Sequence, residues 1–246
     1  MKLLIDIGNT TTSVGLWSKN QLYMTNYSKN NKLLSSIKKY FKKEIDEIFF
    51  TSVIGAKENE LIISRLKEIY KCGINQIKSS SELLGVTNGY VQPKKLGDDR
   101  WVTIVASALF YKKPLIIVDC GTAISIDMVN NKREHLGGYV LGGFDGYSKA
   151  FKDAYHLKNI RIKEDAVLKK KNFPNKTEDG LTEGYLLMVT SAIENTYEKI
   201  KKNQKISPQL LISGGYGKII SKRLSIKNKY EPDLVLKSIG LIANNL

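Results

Sequence analysis

The chain has 246 residues, enough for one large domain or two packed halves, either with a substantial core. Hydrophobic residues make up 42% and charged residues 26%, which excludes a disordered chain, and no apolar run reaches the roughly 18 residues of a membrane span. The net charge of +15 comes from scattered lysines, with only five arginines among 39 basic residues, a distribution that argues against a nucleic-acid surface.

The amino terminus lacks the basic-then-apolar layout of a signal peptide, and the first 27 residues read as β-structure. Lys2 to Ile7 is a short strand, Gly8-Asn9-Thr10 a turn, and Thr11 to Trp17 a second strand. Leu33, Leu34, Ile37 and Phe41 follow helical spacing, and Ile45 to Val53 reads as a buried strand. Leu61, Ile62, Leu66 and Ile69 mark the next amphipathic helix. Two cysteines, Cys72 and Cys120, are too few for a disulfide framework, so a cytoplasmic protein with reduced thiols is expected. Gly85 to Gly97, which contains Pro93, reads as a loop, and Asp98 opens a helix through Trp101, Ile104, Val105, Ala108 and Leu109. Its acidic first turn suits the helix dipole.

An internal repeat follows. Leu3-Leu4-Ile5-Asp6-Ile7-Gly8-Asn9-Thr10 is echoed by Ile116-Ile117-Val118-Asp119-Cys120-Gly121-Thr122, and each copy runs on into a second β-prone stretch. The copies stand about half the chain apart, which predicts two similar halves, 1–114 and 115–246. The second half carries Gly137-Gly138 and Gly142-Gly143, a helix from about Phe144 to Leu157, and a polar connector through Asn175 and Lys176. Leu181 to Lys202 is a long helix with Leu186, Val189, Ile193, Tyr197 and Ile200 on its apolar face. Leu210 to Gly215 is strand-to-glycine turn again, and Pro232 in a first helical turn opens a last helix through Ile242. Lys169-Lys170-Lys171 and Lys199 to Lys202 fit solvated faces. Strands alternating with helices make an α/β fold.

A strand-end aspartate followed by glycine and a small hydroxyl residue suits phosphate and magnesium. The glycine admits backbone N–H groups to the phosphate, and the carboxylate holds the ion directly or through water. One such turn alone fits a plain hairpin better; two of them with a third at Gly214-Gly215 favour a polyphosphate site. Gly-x-x-x-x-Gly-Lys-Ser/Thr and Gly-x-Gly-x-x-Gly are both absent, and His135 and His156 belong to no cluster with zinc spacing. Those two histidines read as surface or partly buried residues. No Gly-x-Ser-x-Gly elbow occurs, so phosphoryl transfer is the chemistry left. Asp98-Asp99-Arg100 reads two ways: a capped helix start, or a proton acceptor beside a guanidinium for an anionic substrate.

Taken in order, these motifs resemble the type III pantothenate kinases of the actin-like, acetate-and-sugar-kinase superfamily. The resemblance rests on Asp6-Ile7-Gly8-Asn9-Thr10, Gly97-Asp98-Asp99-Arg100, Asp119-Cys120-Gly121-Thr122-Ala123, Asn175-Lys176-Thr177 with Gly180 and Gly184, Ser213-Gly214-Gly215 and Asp233-Leu234-Val235-Leu236. It implies two actin-like (ribonuclease H-like) halves, each a mixed β-sheet flanked by helices, with a nucleotide cleft between them. It further implies ATP-dependent phosphorylation of pantothenate at its 4′-hydroxyl, the first committed step toward coenzyme A.

Position by position, the resemblance makes Asp6, Ile7, Gly8, Asn9, Thr10, Thr11, Thr12 and Ser13 an ATP-phosphate loop, with Thr122 a further nucleotide contact. Asp119 matches a ligand of potassium or ammonium, and Asp6 is a candidate for water-mediated contact with magnesium. Gly97, Asp98, Asp99 and Arg100 match the pantothenate-binding stretch with Asp99 as proton acceptor, and Tyr90 and Thr177 match substrate contacts. A homodimer whose partner chain completes the pantothenate pocket is implied as well. Two departures stand out: Gly142 replaces the family's proline, loosening a loop, and Asp98 stands where a small residue is usual. A non-catalytic regulator and a different small-molecule kinase are alternatives that the scaffold alone leaves open.

Overall fold

The computed structural model describes residues 1–41, 44–155, 162 and 173–246. The chain opens as an antiparallel meander of β1 (Lys2–Ile7), β2 (Thr11–Ser18) and β3 (Gln21–Lys29). β1 is buried on both faces along its apolar run. The turn into β3 places Lys19 (φ 49°) and Asn20 (φ 61°) in the left-handed region, the requirement of a tight two-residue hairpin. α1 (Leu33–Tyr40), β4 (Glu47–Ser52), α2 (Ala56–Ile69) and β5 (Gly73–Gln76) follow. β4 lies parallel to β1, pairing Asp6 with Thr51 and Ile7 with Ser52, and β5 lies parallel to β4. The sheet order is β3-β2-β1-β4-β5.

Strand alternation divides this sheet into two faces. Leu3, Ile5, Ile7, Val14 and Leu16 pack with Leu33, Ile37 and Leu66 of α1 and α2. Leu61, expected on the apolar face of α2, is exposed instead, because Ile62 and Leu66 carry the contact. The other face, which by its alternation carries Leu4 and Asp6, is covered by α3 (Asp98–Phe110) and by α7 (Leu234–Ala243) from the far end of the chain. Between α2 and α3 the expected loop is more ordered than its glycines suggest. β6 (Glu82–Leu83) and β7 (Val86–Thr87) form a small hairpin through Leu84 (φ 51°) and Gly85 (φ 75°), and Pro93–Lys95 makes a turn of 3₁₀ helix.

The second half repeats the plan. β8 (Leu115–Cys120), β9 (Ala123–Val129), β10 (His135–Gly142), β11 (Gln209–Ser213) and β12 (Lys229–Tyr230) order as β10-β9-β8-β11-β12. β11 runs parallel to β8 and to β12, as β4 does to β1 and β5. Ile116, Val118, Cys120, Leu210 and Ile212 pack with Phe144 of α4 (Phe144–Tyr155), with Tyr185, Leu186, Val189 and Ile193 of α5 (Thr177–Gln204), and with Ile220 of α6 (Gly217–Arg223). Two similar α/β halves with mixed sheets are therefore present, the fold class expected.

Contacts group the chain into two units: 1–112 with 129–137 and 233–246, and 113–128 with 138–232. Two helix expectations shift. α5 begins at Thr177 rather than Leu181, with Glu178 and Asp179 complementing its dipole. Pro232 lies just outside α7, whose N-cap is Asp233. α4 is described only to Tyr155, so its expected end at Leu157 falls outside the described residues, as do His156 and Lys169-Lys170-Lys171. Cys72 and Cys120 are both free. Among the described residues no helix is long and apolar enough to cross a membrane.

Candidate active site

Two clusters of expected site residues lie at the carboxyl ends of β1 and β4. The first is the turn from Asp6 to Ser13. Gly8 N–H donates to the Thr11 carbonyl (3.0 Å), and a Cβ at Gly8 would sit only 3.0 Å from that oxygen. Asn9, Thr10 and Thr11 are exposed, while Asp6, Gly8 and Ser13 are half-buried. Ile7 and Thr12 are buried, so only their backbones face the turn.

Asn30, which no sequence motif singled out, fastens this turn. Its Nδ2 donates to the Gly8 carbonyl (2.8 Å), its Oδ1 accepts from Thr12 Oγ1 (2.8 Å), and its N–H donates to the Thr10 carbonyl (3.3 Å). A polar residue just past a strand that returns beside the turn is the only signal the sequence held for it.

The second cluster is the start of α3. Val53 connects it to the first, since its N–H donates to the Ile7 carbonyl (3.0 Å) and its Cγ1 lies 3.7 Å from the Cβ position of Gly97. Gly97 leaves room for Asp99, whose Oδ1 would stand 2.6 Å from a Cβ there and accepts the Arg100 N–H (2.7 Å). Asp98 turns elsewhere, to accept the Ser79 N–H (2.7 Å). Burial pushes the Asp98 carboxyl above the usual carboxylate range; the Ser79 bond pulls it back, and neighbouring Asp99 pushes it up again. The two adjacent acids thus point to different partners.

Tyr90 joins this cluster. Arg100 Nη1 donates to its hydroxyl (3.1 Å), and the guanidinium stands 5.6 Å from its ring centroid. His135 stacks on the other side of that ring, with centroids 5.8 Å apart and planes 19° from parallel. His135 is only 2% exposed, which corrects the reading of it as a surface or partly buried residue. Its segment reaches this unit because Thr87 bridges to Glu134 and donates its N–H to the Arg133 carbonyl (3.1 Å).

In the other unit, three glycine turns gather around the end of β8. Gly121 N–H donates to the Ala123 carbonyl (3.0 Å), which leaves Thr122 exposed, and half-buried Asp119 pairs in register with Ser213. A Cβ at Gly143 would overlap the Thr122 carbonyl, and one at Gly214 (φ +86°) would come within 2.6 Å of the Cys120 backbone. Glycine is required at both positions for the backbones to approach. Thr177, at the exposed first turn of α5, belongs to this unit, and Tyr90 and Arg100 belong to the other. Gly142 has open space at its Cβ position and accepts a hydrogen bond from Tyr185 Oη (3.1 Å). Nearby, Tyr216 donates to Asp145 (2.8 Å), and burial together with that carboxylate pushes its hydroxyl up to about 12.

Comparison with known proteins gives one family. The family profile described as type III pantothenate kinase matches residues 2–199. A type III pantothenate kinase of Persephonella marina is 30% identical over 253 residues, covering 97% of this chain and 96% of its own. That of Acinetobacter baumannii is 31% identical over 246 residues, covering 96% and 95%. Among solved structures, a candidate Baf family transcriptional activator from Campylobacter jejuni superposes with a TM-score of 0.64 at 20% identity, covering 99% of this chain and 98% of that one. At that identity the likeness speaks for the fold alone.

Proposed function

The chain belongs to the type III pantothenate kinase family, and from that premise we propose how its residues work. The reaction transfers the γ-phosphoryl group of ATP to the 4′-hydroxyl of pantothenate, the first step of coenzyme A biosynthesis. In our reading Asp99 is the proton acceptor. As the hydroxyl oxygen bonds to the γ-phosphorus, the bond from phosphorus to the bridging oxygen breaks, ADP leaves, and the hydroxyl proton passes to the Asp99 carboxylate. In a loose transition state that proton moves late, so the base contributes roughly 10²- to 10⁴-fold rather than the whole acceleration.

Arg100 supplies the positive charge for the pantothenate carboxylate, held in place by the Tyr90 hydroxyl and ring. Gly97, Tyr90 and Thr177 complete the substrate contacts in this assignment. Asp6 to Ser13 grip the phosphates through exposed hydroxyls and backbone N–H groups, and Thr122 adds a contact from the glycine turns. ATP is used with a divalent metal, which we assign as magnesium. Among the described residues no three His, Cys, Asp or Glu side chains gather as a metal group, so the donors are single strand-end carboxylates. That suits an ion held chiefly by phosphate oxygens and water, with Asp6 behind the water and Asp119 holding potassium or ammonium. When bound, the divalent ion neutralises charge on the phosphates.

We further assign a homodimer. Leu187 of α5 (67% exposed) and Val140 of β10 (59% exposed) leave apolar surface open, and Tyr139, Val140, Leu141, Ala192 and Thr196 line one groove on edge strand β10. The use of ATP supports a cytoplasmic setting.

The observation that carries the reading is the shared neighbour Val53, which brings the phosphate turn and the Gly97–Arg100 helix start to one end of one sheet. Asp99→Asn tests it: size and a carbonyl are kept while the basic site is lost. Turnover is expected to fall roughly 10²- to 10⁴-fold with the KM for ATP little changed and the thermal midpoint preserved. Full turnover in that variant would leave Asp99 as a helix-start charge only.

A further inference from the structure

The chain around Tyr90 is held by polar contacts, most of them from residues that lie outside every motif. Asn88 is buried and uses its whole amide. Its Nδ2 donates to Ser79 Oγ (3.1 Å) and to the Ser80 carbonyl (3.0 Å), and its Oδ1 accepts the Tyr90 N–H (3.0 Å). Ser79 Oγ donates in turn to the Pro93 carbonyl (2.8 Å), and Ser79 N–H donates to Asp98 Oδ1 (2.7 Å). A continuous line of hydrogen bonds therefore runs from the first residue of α3 to the backbone of Tyr90. On the far side Gly89 lies against the His135 carbonyl so closely that a Cβ would overlap it, and His135 stacks on the Tyr90 ring.

We propose that Asp98 and Asn88 are positioning residues of the pantothenate pocket, which hold segments 79–81 and 88–90 so that Tyr90 and Arg100 present one geometry to the substrate. In place of the substrate contact implied by the family resemblance, the Asp98 carboxylate is spent on the Ser79 N–H and the Gln76 side chain. This accounts for an acid where the family usually has a small residue: it reaches what a small side chain cannot. The bond also draws the carboxylate away from Asp99, which keeps two neighbouring acids on separate partners. The inference rests on the assignment of Tyr90 and Arg100 as substrate contacts.

Steady-state kinetics with each substrate varied in turn tests it. Asp98→Ala removes the acceptor for Ser79 and is expected to raise the KM for pantothenate roughly 10- to 100-fold, with the KM for ATP unchanged within about twofold. Asp98→Asn keeps an oxygen for that N–H and should restore most of the lost affinity. Should Asp98→Ala fail to fold, Asn88→Asp gives the same split, because it keeps the acceptor for Tyr90 and loses both donations. An unchanged pantothenate KM in the variants that fold overturns the proposal. So does an equal loss in Asp98→Asn and Asp98→Ala, which would mean that the charge itself meets the substrate. Failure of the base assignment reads differently: Asp99→Asn would then keep full turnover whatever the Asp98 variants do to KM.

Discussion

Asn30 contributes a side-chain donor, a side-chain acceptor and a backbone N–H to the Asp6–Ser13 turn, so loss of its side chain strands groups on both sides of the hairpin. Each net hydrogen bond is worth roughly 0.5–1.5 kcal/mol, and the Gly8 carbonyl and Thr12 hydroxyl lose their partner together. Asn30→Ala is expected to raise the KM for ATP about tenfold and to leave the KM for pantothenate near the parent value. Measuring both constants distinguishes a loosened phosphate turn from general damage, which would move the two in parallel. The contrast with Asp98 is useful: two polar side chains, neither expected to touch a reacting atom, are predicted to divide their effects between the two substrates.

At the scale of elements, α7 shows how tightly the first sheet is closed. Gly240 faces the Trp17 indole so closely that a Cβ would stand only 2.4 Å from the ring. Trp17 cannot yield easily, since it is buried and its Nε1 donates to Asn244 Oδ1 (3.3 Å). Gly240→Ala would raise helix propensity in isolation, but overpacking should dominate, with a net loss of roughly 1–3 kcal/mol in a urea titration. A gain in stability would mean that the helix shifts outward freely. Most elements were legible from apolar runs and helical spacing, because β1, β4, β8 and β11 are buried strands, each with an apolar run of at least three residues. β10 escaped because His135–Gly142 is glycine-rich and largely solvent-facing, so its composition resembles a loop and only its neighbour β9 makes it a strand. The hairpins at Lys19-Asn20 and Leu84-Gly85 escaped in the same way, since Lys19, Asn20 and Leu84, none of them glycine, take up left-handed backbone there. The site divides similarly. Asp6, Asp99 and Arg100 sit in local patterns that can be read and Tyr90 came only with the family resemblance, whereas Asn30, Asn88 and Ser79 act across 2 to 22 positions of sequence, and local spacing carries no trace of that.

For the whole molecule, duplication explains why one topology appears twice, and the added surface lies where the second copy differs. β3 and β10 occupy the same edge in their sheets, but only β10 borders a long helix with open apolar side chains. If that surface joins two copies of the chain, Leu187→Glu should convert the dimer to a monomer in sedimentation velocity with unchanged far-ultraviolet circular dichroism. A parent protein that is already monomeric would refute the assembly.

The return of Asp233–Leu246 to the first unit has a consequence for how the protein is made. Ribosomes deliver α7 after the strands of both sheets, so Leu4 and Trp17 wait without their cover until it emerges. The usual order, in which the amino-terminal part of a nascent chain folds first, cannot run to completion here. A premature stop just upstream of Leu234 would leave every residue of the phosphate turn and of the Gly97–Arg100 motif synthesised, yet without the packing behind them. The codons for α7 therefore decide whether the first strands become an enzyme.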